Sequence, residues 1–558
     1  MQSGSELISE YLSRALCEAA KSLEGCGGVL PGRVEIEVPK ERSHGDLSTN
    51  LALVLSASAR RNPRALAEEL ASRVRVDPEM IEKVEVAGPG FINMFIARSW
   101  LRRNVSRVVA LGADYGSSDE GAGKRLQVEF VSANPTGPLN IVSARAAAVG
   151  DSLVRVLRAR GYSVDAEYYV NDSGGQAGKL GESYEARFRQ RLGEAAEVPE
   201  GGYPGDYLVE MARRLPESTW KAVLELGPDD RRVRFACEAV EEIVSGQKSD
   251  LEDFGVTYDS WYRESTLHAS GAVQKALEAL RAAGVVVSRE GAEWFLSSEY
   301  GDEADRVLVK STGAPTYFLA DVAYHADKRA RGYDRVIDIW GPDHHGHVPR
   351  MTAAARALGY GADWLEVLIV QWVNLIRGGQ VVGMSKRKGE YVTMRELVDE
   401  VGPDCARFFF LTRRSNTPLD FDIDLAKRQS DENPVYYVQY SHARIRSILR
   451  FAGEQGVDTA VLENADTSAL NEPEEIDLMK SLAGYPRIVA GSARAREPHR
   501  LAEYCRDLAG DFHRFYHKHR VVSERDGADM GRLVLSEAVA VVLANALSLL
   551  GVSAPERM

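Results

Sequence analysis

At 558 residues, with 44% hydrophobic and 27% charged side chains, the chain is too apolar to be disordered and long enough for three or more domains of roughly 100 to 200 residues each. A net charge of −13, from 69 basic and 82 acidic residues, excludes non-specific attraction of nucleic acid by the mean field, so any such site must be a local patch. The five cysteines, Cys17, Cys26, Cys237, Cys405 and Cys505, form no CxxC pair, and Glu6 and Glu10 stand where a secretory leader would be basic; a reducing, cytoplasmic protein without a structural metal is expected.

Residues 1–112 open with Leu7, Leu12, Leu16 and Ala20 at helical spacing and continue into Val34-Glu35-Ile36-Glu37-Val38, which alternates as a strand does. This predicts a small α/β module, separated by the Gly/Ser-rich stretch 112–123 from a second unit over 113–425. That unit begins with the apolar run Val128 to Val131, a Pro/Gly loop, an Ala-rich helix from about Ile141 to Arg160 and a second run from Val164 to Val170. Strand, helix, strand at this spacing is a right-handed βαβ unit with a parallel sheet. Further strands are expected at Arg335–Trp340 and Leu365–Val370, with a helix over Met351–Leu358 between them. The charged stretch at about 180–295 reads as a mainly helical insertion. From 426 to 558 helices dominate, and the apolar run Ala538–Leu550, broken by Asn545, reads as a buried helix and not a membrane span.

GxGxxG, GxxxxGK[ST] and HExxH motifs are absent, which removes dehydrogenase, P-loop and zinc-protease readings. Two other segments carry chemistry. Glu129-Phe130-Val131-Ser132-Ala133-Asn134-Pro135-Thr136-Gly137-Pro138-Leu139 runs from a strand end into a helix start, where ligands bind in parallel sheets and free N–H groups face phosphates. Gly383-Met384-Ser385-Lys386-Arg387-Lys388-Gly389 clusters cations between glycines, suited to clamping a polyphosphate. Taken singly, each also reads as an ordinary connection, a rigid turn or a solvated basic loop.

Together with Tyr168-Tyr169-Val170-Asn171-Asp172, Trp340-Gly341-Pro342-Asp343-His344-His345-Gly346, Asn433-Pro434-Val435-Tyr436-Tyr437-Val438-Gln439-Tyr440 and the terminal Ala554-Pro555-Glu556-Arg557-Met558, these segments resemble the class I aminoacyl-tRNA synthetases, and within them the arginyl-tRNA synthetase family. The resemblance implies a Rossmann-like parallel-sheet catalytic domain, an α/β amino-terminal module and an all-α carboxy-terminal anticodon-binding domain. It implies arginine binding by Glu129, Asn134, Tyr317 and Asp321, the last two on one helix face at a spacing of four. It implies ATP binding by Pro135, Thr136, Gly137, Pro138, Leu139, Val142, Asp343, His344, His345, Met384 and Ser385, with Asn140, Ser143, Lys386 and Lys388 at the reacting phosphates. The substrates implied are L-arginine, tRNA(Arg) and ATP with Mg2+, in a monomer with no prosthetic group. Asp343, His344, His345 and His347 could also suggest a metal cluster, but no further His or Cys stands at a supporting spacing.

Where the family has His-Ile-Gly-His, this chain has Asn140-Ile141-Val142-Ser143; Gly383 replaces the leading lysine of the second signature, and Gly175 replaces an asparagine. One lost transition-state donor costs roughly 2.7 to 4 kcal/mol. Two functions fit: an ATP-dependent arginine–tRNA ligase, or a catalytically impaired paralogue that binds tRNA or arginine as a regulatory or sensing protein. Aromatic and basic side chains interleave at Tyr436, Tyr437, Gln439, Tyr440 and Arg444, and again at Arg514 and Tyr516, a composition that suits stacking on splayed RNA bases as well as an ordinary helix with an aromatic core face. In the resemblance, the first module meets tRNA around Ser43–Asp46 and Gly88–Asn93.

Overall fold

The computed structural model describes residues 8–23, 34–39, 41–382, 392–523 and 527–558. Its first module comprises α1 (Ile8–Lys21), β1 (Leu47–Thr49), α2 (Leu51–Ala59), α3 (Pro63–Arg73), β2 (Ile81–Ala87), β3 (Phe91–Ile96) and α4 (Arg98–Leu111). The strands form an antiparallel sheet in the order β1-β3-β2. The alternating stretch 34–38 is not a strand: Glu37 exchanges two backbone hydrogen bonds with Ser48, both 2.8 Å, as an isolated bridge. Its neighbour β1 is three residues long and offers no longer ladder, and Val38 is left 53% exposed.

The second unit contains β4 (Arg125–Phe130), α5 (Ile141–Ala159), β5 (Ser163–Val170), α6 (Gly174–Arg191), α7 (Asp206–Arg214), α8 (Glu217–Leu224), α9 (Pro228–Asp253), β6 (Ser260–Arg263), α10 (Glu264–Ala269), α11 (Ala272–Ala282), β7 (Val286–Arg289), β8 (Ala292–Phe295) and β9 (Arg306–Val309). It continues through α12 (Tyr317–Ala330), β10 (Arg335–Trp340), α13 (Val348–Ala357), β11 (Leu365–Ile369), β12 (Val373–Arg377), β13 (Gln380–Val381), α14 (Met394–Val401), α15 (Pro403–Phe410) and β14 (Leu419–Asp422). Five parallel strands stand in the order β11-β10-β4-β5-β6. The chain starts at the centre, winds to one edge, then crosses back, so the crevice between β4 and β10 is the topological switch point where such sheets bind ligands. The stretch 180–295 is mainly helical, with three short strands the sequence did not announce: β6 extends the parallel sheet, and β7 and β8 pair with β9 in a separate antiparallel sheet. Four-residue strands between charged helices are too short to leave a periodicity.

The remaining helices are the short α16 (Ile423–Ala426), then α17 (Pro434–Glu454), α18 (Pro473–Ala495), α19 (His499–Lys518) and, after the two-residue strands β15 (Val522–Ser523) and β16 (Gly527–Ala528), α20 (Met530–Leu550). By length and composition α20 could cross a membrane, but 67% of its most apolar stretch is buried, against α4, α5, α17, α18 and α19. Pro486 interrupts α18 and deprives the Leu482 carbonyl of its helical donor; the buried Tyr115 hydroxyl donates to that carbonyl instead, at 2.9 Å. The Gly/Ser stretch after α4 is therefore packed against the helical bundle.

One buried arginine ties these parts together. Arg407 on α15 donates to the Leu550 carbonyl at 3.1 Å and the Phe254 carbonyl at 3.1 Å, and it forms an ion pair with Asp151 on α5. Gly551, at φ +67°, is required there because a Cβ would collide with that guanidinium. Removing one partner of a buried pair strands the other charge, so Asp151→Ala is expected to lower stability by about 3–5 kcal/mol in urea unfolding; an unchanged transition would show that the arginine's backbone partners suffice.

Candidate active site

Glu167 on β5, Glu129 on β4 and Asp338 on β10 are register partners across three adjacent strands. Parallel register partners point to the same sheet face, so three buried carboxylates lie in a row. Helix α12 crosses them with matching cations. Arg331 grips Glu167 through two bonds, 2.5 and 2.8 Å. Lys328 Nζ, fully buried, lies 2.6 Å from Glu129 Oε2 and 2.8 Å from Asp338 Oδ1. His325 places Nδ1 2.8 Å from the Asp321 carbonyl and Nε2 2.8 Å from Asp338 Oδ2. The row is thus three carboxyl groups against a guanidinium, an ammonium and an imidazole. Burial would raise the Asp338 carboxyl, but Lys328 and His325 outweigh it and hold the group down at about 2. On Glu129 burial dominates and Lys328 offsets it only in part, so that carboxyl is raised.

Residues 317, 321, 325 and 328 lie along one side of α12, so the same register that matches the row also sets the two candidates at the helix start. Tyr317 is 64% exposed, its hydroxyl above Gly174. The Asp321 carboxylate meets His347 Nε2 at 2.9 Å. The Tyr169 hydroxyl is buried; burial first, then the charges of Glu264 and Asp321 and a hydrogen bond with Glu264, raise its pKa. Buried Glu264 accepts from Ser173 Oγ at 2.7 Å. Glu129 Oε1 accepts from Ser132 Oγ at 2.8 Å, so both oxygens of that candidate carry a protein partner. Glu129 and Asp321 are linked through Lys328, Asp338 and His325, while Asn134 lies exposed on the loop after β4.

That loop leaves β4 through Val131 and Ser132, both left-handed, at φ +69° and +38°. A β-branched residue there is strained by about 1–3 kcal/mol and must be held by its surroundings. Tyr258 Oη donates to the Phe130 carbonyl at 3.1 Å, Tyr169 N donates to Ser132 Oγ at 3.1 Å, and Ala133 N donates to Tyr168 Oη at 3.1 Å. The inserted helix α9 supplies Gln247, whose amide donates to the Gly137 carbonyl at 2.9 Å while its oxygen accepts from Tyr168 Oη at 2.9 Å. Tyr207 on α7 donates to the Thr136 carbonyl at 2.5 Å. Pro135 and Leu139 are buried, and Thr136, Gly137, Pro138 and Val142 are partly exposed along the loop and first helical turn.

Asn140 is the N-cap of α5: its Oδ1 accepts from Ser143 N at 3.0 Å and from Ser143 Oγ at 3.3 Å. With the Ser143 hydroxyl turned to Asn140, the Asn140 amide hydrogens are the ones left to donate outward. Arg145, fully buried on the next turn, donates to the Gln371 and Arg414 carbonyls at 3.0 and 2.9 Å; burial lowers it to about 10. Met384, Ser385, Lys386 and Lys388 lie outside the described residues. The chain re-enters the site beyond them: Met394 N donates to the Leu139 carbonyl at 2.8 Å and Thr393 bridges to Asn140. Asp343, His344 and His345 are on a 3-10 turn, Pro342–His347, after β10. Among the described residues no group of three or more metal-ligating side chains converges.

On the helical bundle, Tyr436 and Tyr440 stack at 6.2 Å, Tyr440 stacks on His513, and Tyr437 lies 4.9 Å from the same ring. Arg444 lies over Tyr516 at 5.2 Å in a cleft of about 570 Å³ lined also by Lys518 and Arg520. Arg514 is paired with Asp511. Gln439 is engaged within the protein, donating to Asp404 Oδ2 at 2.8 Å and to the Ser553 carbonyl at 3.0 Å, because the terminal tail folds back over α15.

The chain matches three family profiles: arginyl tRNA synthetase N-terminal domain at residues 6–96, tRNA synthetases class I (R) catalytic domain at 104–408, and DALR anticodon binding domain at 438–558. An arginine–tRNA ligase of Desulforamulus reducens is 46% identical over 562 residues, covering 100% of both chains. The chain belongs to the arginyl-tRNA synthetase family. Another arginine–tRNA ligase, of Desulforudis audaxviator, is 48% identical over 524 residues, 94% of this chain and 93% of that one. The fold is that of the Thermus thermophilus arginyl-tRNA synthetase, with a TM-score of 0.79 over 99% of this chain and 100% of that chain at 23% identity.

Sequence patterns alone pass over Lys328, Tyr169, Glu264, His347 and Gln247 as members of this site. Gln247 lies 110 residues from the carbonyl it holds, and no local pattern signals it. Lys328→Met leaves Glu129 and Asp338 side by side without their shared cation, and a stability loss of about 3–5 kcal/mol is expected in chemical denaturation, largely recovered when Asp338→Asn is added. Equal losses in the single and double variants would contradict the charge pairing.

Proposed function

We propose that this protein is an arginine–tRNA ligase: it activates L-arginine with ATP to arginyl-adenylate and transfers the arginyl group to the 3′ end of tRNA(Arg) in translation. The observation that carries the reading is the β4–β10 switch point, where Glu129 is linked through Lys328, Asp338 and His325 to Asp321, one loop away from the N-terminus of α5. A guanidinium offers five donors in a planar fork and needs carboxylates at fixed angles. Full-length identity of 46–48% to relatives named as ligases favours this over the impaired paralogue.

In this reading Asp321, Tyr317, Asn134 and Glu129 receive arginine, Glu129 through Oε1, beside the Ser132 hydroxyl. ATP lies along 135–139 and over Val142, with Asp343, His344, His345, Met384 and Ser385 around it. The arginine carboxylate attacks the α-phosphate and pyrophosphate leaves, its charge met by Lys386 and Lys388, by Mg2+ arriving with ATP, and by the Asn140 amide beside the free N–H groups of the first turn. Ser143 contributes by fixing Asn140. The terminal adenosine hydroxyl of tRNA then attacks the adenylate carbonyl and AMP leaves. Division at 112 and 425, a cytoplasmic monomer, an amino-terminal module on tRNA and an anticodon site at Tyr436, Tyr437, Tyr440, Arg444, Arg514 and Tyr516 complete the proposal; Gln439 would act there by locking the tail.

The test is arginylation of unfractionated tRNA with ATP, Mg2+ and labelled arginine or lysine. Arginine-specific charging is expected; none under any condition would overturn the reading. Asn140→Ala is expected to lower kcat by about 10²-fold or more, with KM for arginine unchanged. Tyr440→Ala is expected to raise KM for tRNA about tenfold in the same assay, since each lost stack is worth about 1–3 kcal/mol, without altering KM for arginine.

A further inference from the structure

We infer that His347 is a positioning residue that fixes the carboxylate of Asp321 and so sets the affinity for arginine. The inference rests on the reading of Asp321 as the guanidinium acceptor. The Asp321 side chain is 39% exposed and, left alone, would sample several rotamers. Two histidines prevent this from opposite ends. His325 Nδ1, 2.8 Å from the Asp321 carbonyl, pins the backbone. His347 Nε2, 2.9 Å from Oδ2, pins the side chain. A carboxylate only accepts, so this nitrogen carries the proton. The second oxygen, Oδ1, has no partner among the described residues and faces the substrate.

The His347 ring is itself held. It is 20% exposed, meets Phe318 edge-on at 6.0 Å and lies 5.6 Å from Trp340. These contacts come from α12 and from the end of β10, the two elements that frame the pocket, so the imidazole is a rigid donor on rigid supports. As a stability element the bond is worth little, because its acceptor is exposed. Its value is in preorganisation: a carboxylate already at the angle a planar fork requires binds arginine without the cost of ordering and favours it over the single point charge of lysine.

Aminoacylation at saturating ATP and tRNA tests this on the full chain. His347→Phe, which keeps the ring stacking but loses the donor, is expected to raise KM for arginine about tenfold, with kcat within about twofold and KM for ATP unchanged. His347→Gln, whose amide can donate from the same place, is expected to stay within about threefold of the native KM. In an Asp321→Asn background His347→Phe should add no further loss, because the group it positions is gone. An unchanged KM in His347→Phe, a glutamine variant no better than phenylalanine, or additive effects in the double variant would overturn the assignment. If Asp321→Asn alone left KM for arginine unchanged while tRNA was still charged, the fault would lie in the role of Asp321, and the role of His347 would fall with it. Should the phenylalanine variant not fold, His347→Asn, too short to reach Oδ2, takes its place with the same expected rise.

Discussion

Three carboxylates at one level of three neighbouring parallel strands cannot coexist in a protein interior without cations fitted between them. In this molecule the partners come from one helix and its C-cap. Arg331, Lys328 and His325 meet Glu167, Glu129 and Asp338, and Tyr324 adds a hydroxyl on Glu167 at 2.6 Å. Buried charges of this kind contribute less to net stability than to register. Sliding α12 by one residue would set Ala330 or Gly332 at the place of Arg331 and leave Glu167 without its cation, so the row admits one placement of the helix. That placement carries Tyr317 and Asp321 to the mouth of the switch-point crevice. The amino-acid end of the site is thus a consequence of the charge row.

The phosphate end is built on other physics. Two left-handed residues bend the chain off β4, and hydrogen bonds from β5, α7 and α9 hold the bend. The insertion is therefore a structural part of the nucleotide loop: Gln247 and Tyr207 are its braces. At the start of α5 the replacement of two imidazoles by asparagine and serine has produced a well-formed cap. The cap stabilises the helix by about 1 kcal/mol and leaves its N-terminus oriented toward an anion, but it supplies neutral donors where the family has rings able to carry charge. Binding the phosphates and stabilising charge that develops on them are separate tasks, and the geometry here favours the first.

Much of this was legible in the residues. The βαβ unit at 125–170, the strands at 335–340 and 365–369 and the helical end follow from periodicities long enough to read, and the bend after β4 is announced by Pro135, Gly137 and Pro138. The stretch 34–38 alternates correctly yet makes only one bridge, because a strand exists only where a partner of equal length does. β6 and the β7–β8 hairpin were hidden by their shortness. The motif residues Asn134, Tyr317 and Asp321 lie on the loop after β4 and at the start of α12, whereas the use of Glu129 by Lys328 and the inward role of Gln439 depend on partners tens to hundreds of residues away. Local sequence carries no trace of such pairings.

In the proposed reading, the arginine end keeps its carboxylates while the start of α5 offers neutral donors to the phosphates. The most direct measurement is the single-turnover rate of arginyl transfer to tRNA, compared between the native chain and the triple variant Asn140→His, Val142→Gly, Ser143→His, at equal arginine saturation. The account predicts measurable charging by the native chain, a faster rate in the triple variant and the same arginine affinity in both. A native chain that does not charge tRNA at all, or a triple variant whose arginine affinity changes while its rate does not, would contradict it.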